Sequence, residues 1–365
     1  MSFQLAQKIG FQVGQQVGNY EFLDVLSSSS SEVAYKVRNH LTQRLEALKV
    51  LAADAGEDRE TAERFIREIK VHARLLHPNI VTFYNAAELD GQLVMTTELV
   101  EGITLAERVK LMGSLSWIEA VSHISQILQA LAFAHEQGII HRNVTPETII
   151  ITADTTVKLN GFDLAKPIAS PSLTQTGSVL GALGYIPPEQ IRGLGPLDAR
   201  SDLYSVGVVL YEALTGRLPF DSGSQFKIMM DHVNSEAPAP SSINPKLPAE
   251  FDAVVLKALA KNPADRFQTA EEFRARLEAL KSTLRTRPGA AHADPLNIDS
   301  PAARRSEYHP AADTAGDLCT EAPVPDFGMA AVSGSGRRSF LLLILGVSSL
   351  LVGVIVALLL AVAKL

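Results

Sequence analysis

The hydrophobic period of this chain changes once, near Leu99, which limits it to a fold where a mainly stranded part precedes a mainly helical one. From Tyr20 onward, the run YEFLDVL, the segment EVAYKVRNH and the alternating RLEALKVL predict three antiparallel strands. Five serines, Ser27, Ser28, Ser29, Ser30 and Ser31, stand between the first two. Arg59 to Leu76 predicts a helix with Phe65, Ile69 and Leu76 on its apolar face and His77-Pro78 as its stop. Glu68 shares a face with Phe65 and His72. Two further strands, IVTFYNAAEL and QLVMTTEL, are joined by Asp90-Gly91, a two-residue hairpin signal. Beyond Leu99 the pattern is helical. Ser116 to Glu119 reads as a capping box ahead of a helix with the stripe Val121, Ile124, Leu128 and Leu131 and the terminator Gly138. Short strands flank Asp154, and residues 164–200, rich in Gly, Pro, Ser and Thr, predict a long ordered loop. Ser201-Asp202 is expected to cap LYSVGVVLYEALTG, a helix apolar nearly all round and therefore buried. Amphipathic helices continue to about Leu280, so the fold class is α+β.

Two changes of composition divide the rest. Residues 282–338 are dominated by Pro, Ala, Gly, Ser and Asp and predict a disordered linker. Phe340 to Ala363 is a run of 24 residues without a charge. As a helix it would be about 36 Å long, enough to cross a ~30 Å hydrocarbon core. The expected layout is a lead-in at 1–19, a stranded lobe at 20–98, a helical lobe at 99–281, a juxtamembrane linker at 282–338 and a membrane span at 339–363. Arg337 and Arg338 precede the span and only Lys364 and Leu365 follow. The positive-inside rule then puts residues 1–338 in the cytoplasm of a single-pass cell-membrane protein, with no external sensor domain. Gly346, Ser349 and Gly353 share one face of the span, either as a homodimer contact or as small residues among lipid-facing ones. The N-terminus has no apolar core of a signal peptide. A net charge of -7 gives no basic footprint for nucleic acid. The single cysteine, Cys319, cannot form an internal disulfide, which is compatible with a reducing compartment.

The motifs carry more. ALKVL around Lys49, FIREIKVHARLLHPNIV around Glu68, HRNVTPETII from His141, LNGFDLA around Phe162, GYIPPEQ, SDLYSVGVVLYEALTGRLPF and NPADRF follow one another in order. Over about Tyr20 to Leu280 the chain resembles bacterial Ser/Thr protein kinases of the eukaryotic type. The resemblance implies a bilobal kinase fold and ATP as nucleotide. It implies that Lys49 and Glu68 form the pair that holds the α/β-phosphates, and that Glu98 and Val100 contact nucleotide between the lobes. It gives His141 and Phe162 a place in the spine linking the lobes, and Glu189 and Arg266 an ion pair under the activation segment. Asp202 would hold the catalytic-loop backbone, and Arg142 would read a phosphate at Thr174, Thr176 or Ser178.

The same resemblance exposes departures. Asn143 stands where the family has its catalytic Asp, Thr145 where it has the Lys facing the γ-phosphate, and Thr148 where it has the Asn ligand of the second metal. Gly161 replaces the carboxylate that holds Mg²⁺, and Asp163, two residues on, lies about 6.6 Å further along an extended chain. That is too far to ligate the same ion at 2.0–2.1 Å, so no metal ligand is assigned. The serines replace a glycine-rich loop, and every one carries a Cβ. Ala182 replaces a Thr that would bond the missing Asp and Lys. Three readings follow: a membrane-tethered pseudokinase that positions or controls an active protein kinase or its substrates, an active or weakly active Ser/Thr kinase, and a nucleotide-binding switch without turnover. The missing charges favour the first.

Overall fold

Strict alternation in the first third of the chain builds a sheet with two different faces. The computed structural model describes residues 10–29, 31–51, 59–162, 166–167 and 183–286. Strands β1 (Gln16–Val17), β2 (Tyr20–Ser28), β3 (Glu32–Asn39), β4 (Leu45–Leu51), β5 (Phe83–Leu89) and β6 (Gln92–Glu98) form one antiparallel sheet in the order β1-β2-β3-β4-β6-β5. On one face Phe22, Val33, Tyr35, Val37, Leu48, Val50 and Val94 form a buried cluster with Phe11 and Val17. Where the sequence predicts a lead-in, Gln16 and Val17 pair with β2, and Phe11 covers Phe22 at 4.6 Å between ring centroids. Period two sends Ala47, Lys49 and Leu51 to the opposite face. There α1 (Arg59–His72) lays Phe65 against Leu51 and Met95. The predicted hairpin is present, with Asp90 at φ 47° and Gly91 at φ 77°, the left-handed pair that matches strand twist.

Helix α1 ends at His72, one turn before the expected limit. Residues 73–75 continue as tight turns, so Leu75 is buried and Leu76 is 78% exposed rather than on the apolar face.

The second part is helical, as its period requires. It comprises β7 (Gly102–Thr104), α2 (Leu105–Met112), α3 (Trp117–Glu136), β8 (Ile139–Ile140), β9 (Ile149–Thr152), β10 (Val157–Leu159), β11 (Lys166–Pro167), α4 (Pro188–Arg192), α5 (Ala199–Thr215), α6 (Gln225–Asn234), α7 (Pro240–Ile243), α8 (Glu250–Ala258) and α9 (Ala270–Arg285). Val121, Ile124, Leu128 and Leu131 are fully buried, as their stripe predicts. At the start of α3 only half of the expected capping box forms. The Ser116 hydroxyl accepts from the Glu119 N–H, but the Glu119 carboxylate turns to Arg108 at 2.9 Å. The complete box is one helix earlier, between Thr104 and Glu107.

Helix α5 is buried along most of its length, but its cap is Asp198, which accepts from the Arg200 N–H at 2.9 Å. Ser201 and Asp202 lie inside the helix and are used elsewhere. Helix α9 runs to Arg285 with Leu284 buried, so residues 282–285 belong to the domain and not to the linker. The expected membrane span at 339–363 lies outside the described residues. Among the described residues no helix is long and apolar enough to cross a membrane.

The two parts are joined by the chain and by contacts between them. The chain passes from β6 to β7 through residues 99–101. Separately, β10 is held to the segment before β5: Val81 N–H donates to Leu159 O at 3.0 Å, Leu159 N–H to Asn79 O at 2.8 Å, and the Asn79 amide to Val157 O at 2.8 Å.

Two buried charges fix the helical part. Arg266 has no exposed side-chain surface. It pairs with both Glu189 carboxylate oxygens at 2.7 and 2.8 Å and donates to the carbonyls of Ala260, Arg200 and Lys261. Asp202, on α5, accepts the backbone N–H groups of His141 at 2.9 Å and Arg142 at 2.8 Å and the His135 Nε2 at 2.7 Å. Arg142 has a left-handed backbone, φ 66°, a conformation costing about 1 kcal/mol or more that persists only when neighbours over-determine it. Asp202 supplies that determination. Burial raises its carboxyl, but the hydrogen bond and charge of His135 and the backbone donors outweigh burial and hold it below the usual range.

Glu189→Ala strands a buried guanidinium and should lower stability by about 3 kcal/mol, read from the urea midpoint. Asp202→Asn should cost about 2 kcal/mol at neutral pH. The natural carboxylate stabilises the fold above its unfolded pKa of ~3.9, and that contribution is lost as pH falls through the lower folded value. The gap between natural and variant chains should therefore close in acid. A gap independent of pH would remove the charge from this explanation.

Candidate functional site

The cleft between the two parts takes its side chains from β4, α1, the loop 141–148 and the segment 160–162. Because Lys49 points away from the sheet's buried cluster, it meets Glu68 on α1. Its Nζ lies 2.9 and 3.0 Å from the two Glu68 oxygens, forming the expected pair. Glu32 also reaches it, 2.8 Å from Nζ. That contact was not foreseen, although the strand register contains its signal. Ala34 opposes Lys49, and Glu32 is two residues away on the same face, a diagonal neighbour within reach of a long side chain.

A stack of rings runs from α1 into the loop. Phe162, fully buried, meets His141 edge-on at 4.5 Å and His72 edge-on at 5.4 Å. His141 sits in the stack as expected. Its Nε2 is 2.9 Å from Asn160 O, and its Nδ1 accepts the Asn143 N–H at 3.2 Å. His72 is an addition visible in sequence only as the residue one helical turn beyond Glu68. Both its ring nitrogens are buried without a hydrogen-bond partner among the described residues. Burial, with the positive charge of Lys49 and coupling to His141, pushes its pKa down to about 3, so it is a neutral ring at physiological pH.

In the loop itself, Thr148 spends its hydroxyl on the backbone. It accepts from the Thr145 N–H at 3.1 Å and donates to the carbonyls of Thr145 at 2.9 Å and Asn143 at 3.3 Å. Thr145 is buried beside it. Gly161 offers no side chain and has φ 85°. These two positions do not fit a Mg²⁺ ligand as they stand: Gly161 has no side-chain oxygen and the Thr148 hydroxyl is bonded within the loop. Among the described residues no three His, Cys, Asp or Glu side chains converge as a metal site. Asp163 and Ala182 lie outside the described residues, as do Ser30 and the phosphosite candidates Thr174, Thr176 and Ser178.

Arg142 presents Nε and Nη2 buried without a hydrogen-bond partner among the described residues. Burial lowers its pKa, opposed by Asp202. At the edge of the cleft the Glu98 carboxylate turns away, accepting from Lys158 Nζ at 2.8 Å and the Thr82 N–H at 3.2 Å. Burial raises the Glu98 carboxyl, but these bonds more than offset that and hold it low. Val100, two residues on, is partly buried.

The serine run forms the tip of the β2–β3 hairpin. Ser27 and Ser28 end β2 and are exposed. The Ser29 hydroxyl accepts from the N–H groups of Ser31 at 3.3 Å and Glu32 at 3.0 Å, closing a local turn. The Ser31 hydroxyl in turn accepts from Arg64 Nη2 of α1 at 3.4 Å.

The model of the protein kinase domain family matches residues 20–276. The chain is 38% identical over 264 residues to the serine/threonine-protein kinase PrkC of Bacillus subtilis, a match covering 72% of this chain and 41% of that protein. It is 42% identical over 264 residues to the serine/threonine-protein kinase PknB of Mycobacterium tuberculosis, covering 71% of this chain and 42% of that one. The chain thus spans about two fifths of the length of these relatives. Among solved structures, the kinase domain of M. tuberculosis PknI is similar with a TM-score of 0.59 and 28% identity, covering 75% of this chain and 100% of that one. The two-part fold agrees with these matches, and the chain belongs to the protein kinase domain family, among the bacterial Ser/Thr kinases of the eukaryotic type.

Proposed function

We propose that this chain is a pseudokinase: a kinase fold that serves phosphorylation signalling by binding and positioning, or by controlling, an active protein kinase or its substrates. The observation that carries the reading is the state of the loop. Its backbone is anchored by Asp202, while the positions that should face phosphate and metal hold a glycine and a threonine whose hydroxyl is already bonded. Phosphoryl transfer is catalysed almost wholly by positioned charge. Losing a general base alone costs about 10²–10⁴-fold. The segment 339–363 would tether the domain to the cell membrane with residues 1–338 in the cytoplasm, where a second copy is a further partner. Arg142 adds a link to an active kinase, because two of its buried nitrogens, without a hydrogen-bond partner among the described residues, suit a phosphate placed on Thr174, Thr176 or Ser178.

A second reading is an active ATP-dependent Ser/Thr kinase. The names of the relatives favour it over the first, since each is called a serine/threonine-protein kinase, and so does the closed Lys49–Glu68 pair. Kinases of this family in general use ATP and Mg²⁺. A chain that bound ATP without transferring phosphate would be a switch, the third reading.

The full chain in detergent, given ATP and Mg²⁺, should transfer no more phosphate to itself or to a generic protein substrate than its Lys49→Met variant does. Transfer by the natural chain that disappears in Lys49→Met would establish the second reading and end the first.

A further inference from the structure

We infer that Glu32 is an internal anion that occupies the phosphate-binding face of Lys49, so that the cleft excludes a nucleoside polyphosphate until Glu32 is displaced. An ammonium group has three N–H donors. Lys49 directs two toward the Glu68 oxygens, at 2.9 and 3.0 Å, and meets the Glu32 carboxylate at 2.8 Å. The Glu32 side chain is 15% exposed and that of Lys49 24%, so the pair is partly withdrawn from water, where a carboxylate competes strongly with any incoming anion.

Two further contacts hold Glu32 there. Arg64, on α1, lies 3.8 Å from its other oxygen and also bonds Ser31. The hairpin tip is closed on itself as well. Ser29 N–H donates to Glu32 O at 2.8 Å, and the Ser29 hydroxyl takes the N–H groups of Ser31 and Glu32. Backbone N–H groups of a phosphate-covering loop serve a ligand only when they are free to point at it. Here two of them are consumed by a side chain that a glycine would not have. The serine run and Glu32 thus close one site by two routes, one setting a carboxylate 2.8 Å from the cation and the other consuming the loop's amides.

The inference rests on the reading of the cleft as one that transfers no phosphate, and it is tested without transfer. The dissociation constant of ATP is measured by calorimetry on the full chain in detergent, in EDTA, with inorganic tripolyphosphate as a second probe. Glu32→Gln keeps the shape of the side chain and removes its charge. It should bind both probes at least about tenfold more tightly than the natural chain, and adding Lys49→Met should cancel the gain. Ser29→Gly, which frees the tip amides while leaving Glu32 in place, should strengthen binding in the same direction by a smaller factor. It supplies the test independently if Glu32→Gln does not fold. Equal affinities in natural and variant chains, absence of binding in all of them, or a gain that survives Lys49→Met would each overturn the inference. Tight ATP binding by a natural chain that transfers nothing would sink this inference alone. Transfer by the natural chain would sink it together with the pseudokinase reading.

Discussion

One buried carboxylate carries the geometry of the loop at the centre of this molecule. Asp202 takes two successive backbone N–H groups, one of them from a residue held at positive φ, and is itself fixed by His135. Its place inside α5, a helix buried along most of its length, makes it rigid. The loop's path is set by these bonds to its main chain and by those of the Thr148 hydroxyl, so it stays anchored with Asn143, Thr145 and Thr148 where the resembled motif has Asp, Lys and Asn. The Glu189–Arg266 pair does the same for the segment around α4, with the guanidinium further bonded by three carbonyls.

This separation explains which residues the chain keeps. His141, Phe162, Asp202, Glu189 and Arg266 are buried or bonded within the fold, and removing any of them leaves a cavity or an unpaired group. The positions that depart from the resembled motif, Asn143, Thr145, Thr148 and Gly161, are those that the resemblance turns toward a ligand. Lys49 and Glu68 fall between the two classes. They form a bonded pair, and Glu32 meets the same cation.

The lobes, the antiparallel strands, the Asp90-Gly91 turn and the buried stripe of α3 were legible in the sequence because each follows from a local rule of period or turn chemistry. So was the Lys49–Glu68 pair, through family resemblance. What escaped depends on tertiary register. Ser201-Asp202 reads in sequence as a cap as good as Asp198, but Asp198 caps α5 while Asp202 accepts the N–H groups of His141 and Arg142. Leu76 was assigned to the apolar face on spacing alone, but α1 had already ended. The Glu32–Lys49 contact requires knowing that Ala34 faces Lys49. The self-closing turn at Ser29 is invisible in a run of five identical residues, where nothing marks which hydroxyl will be used.

The hydrogen bonds between β10 and residues 79–81 have a mechanical consequence. A pair of bodies joined by a single strand can bend and twist about it in any direction. Here a further attachment lies on a strand that leads, within a few residues, to Gly161 and Phe162. Other contacts oppose such bending: Arg74 on Gln137 O at 2.9 Å, Lys158 on Glu98 at 2.8 Å and the stacked rings of His77 and Phe133 brace the same joint, so residues 160–162 enter the cleft from a stretch of chain fastened to both parts.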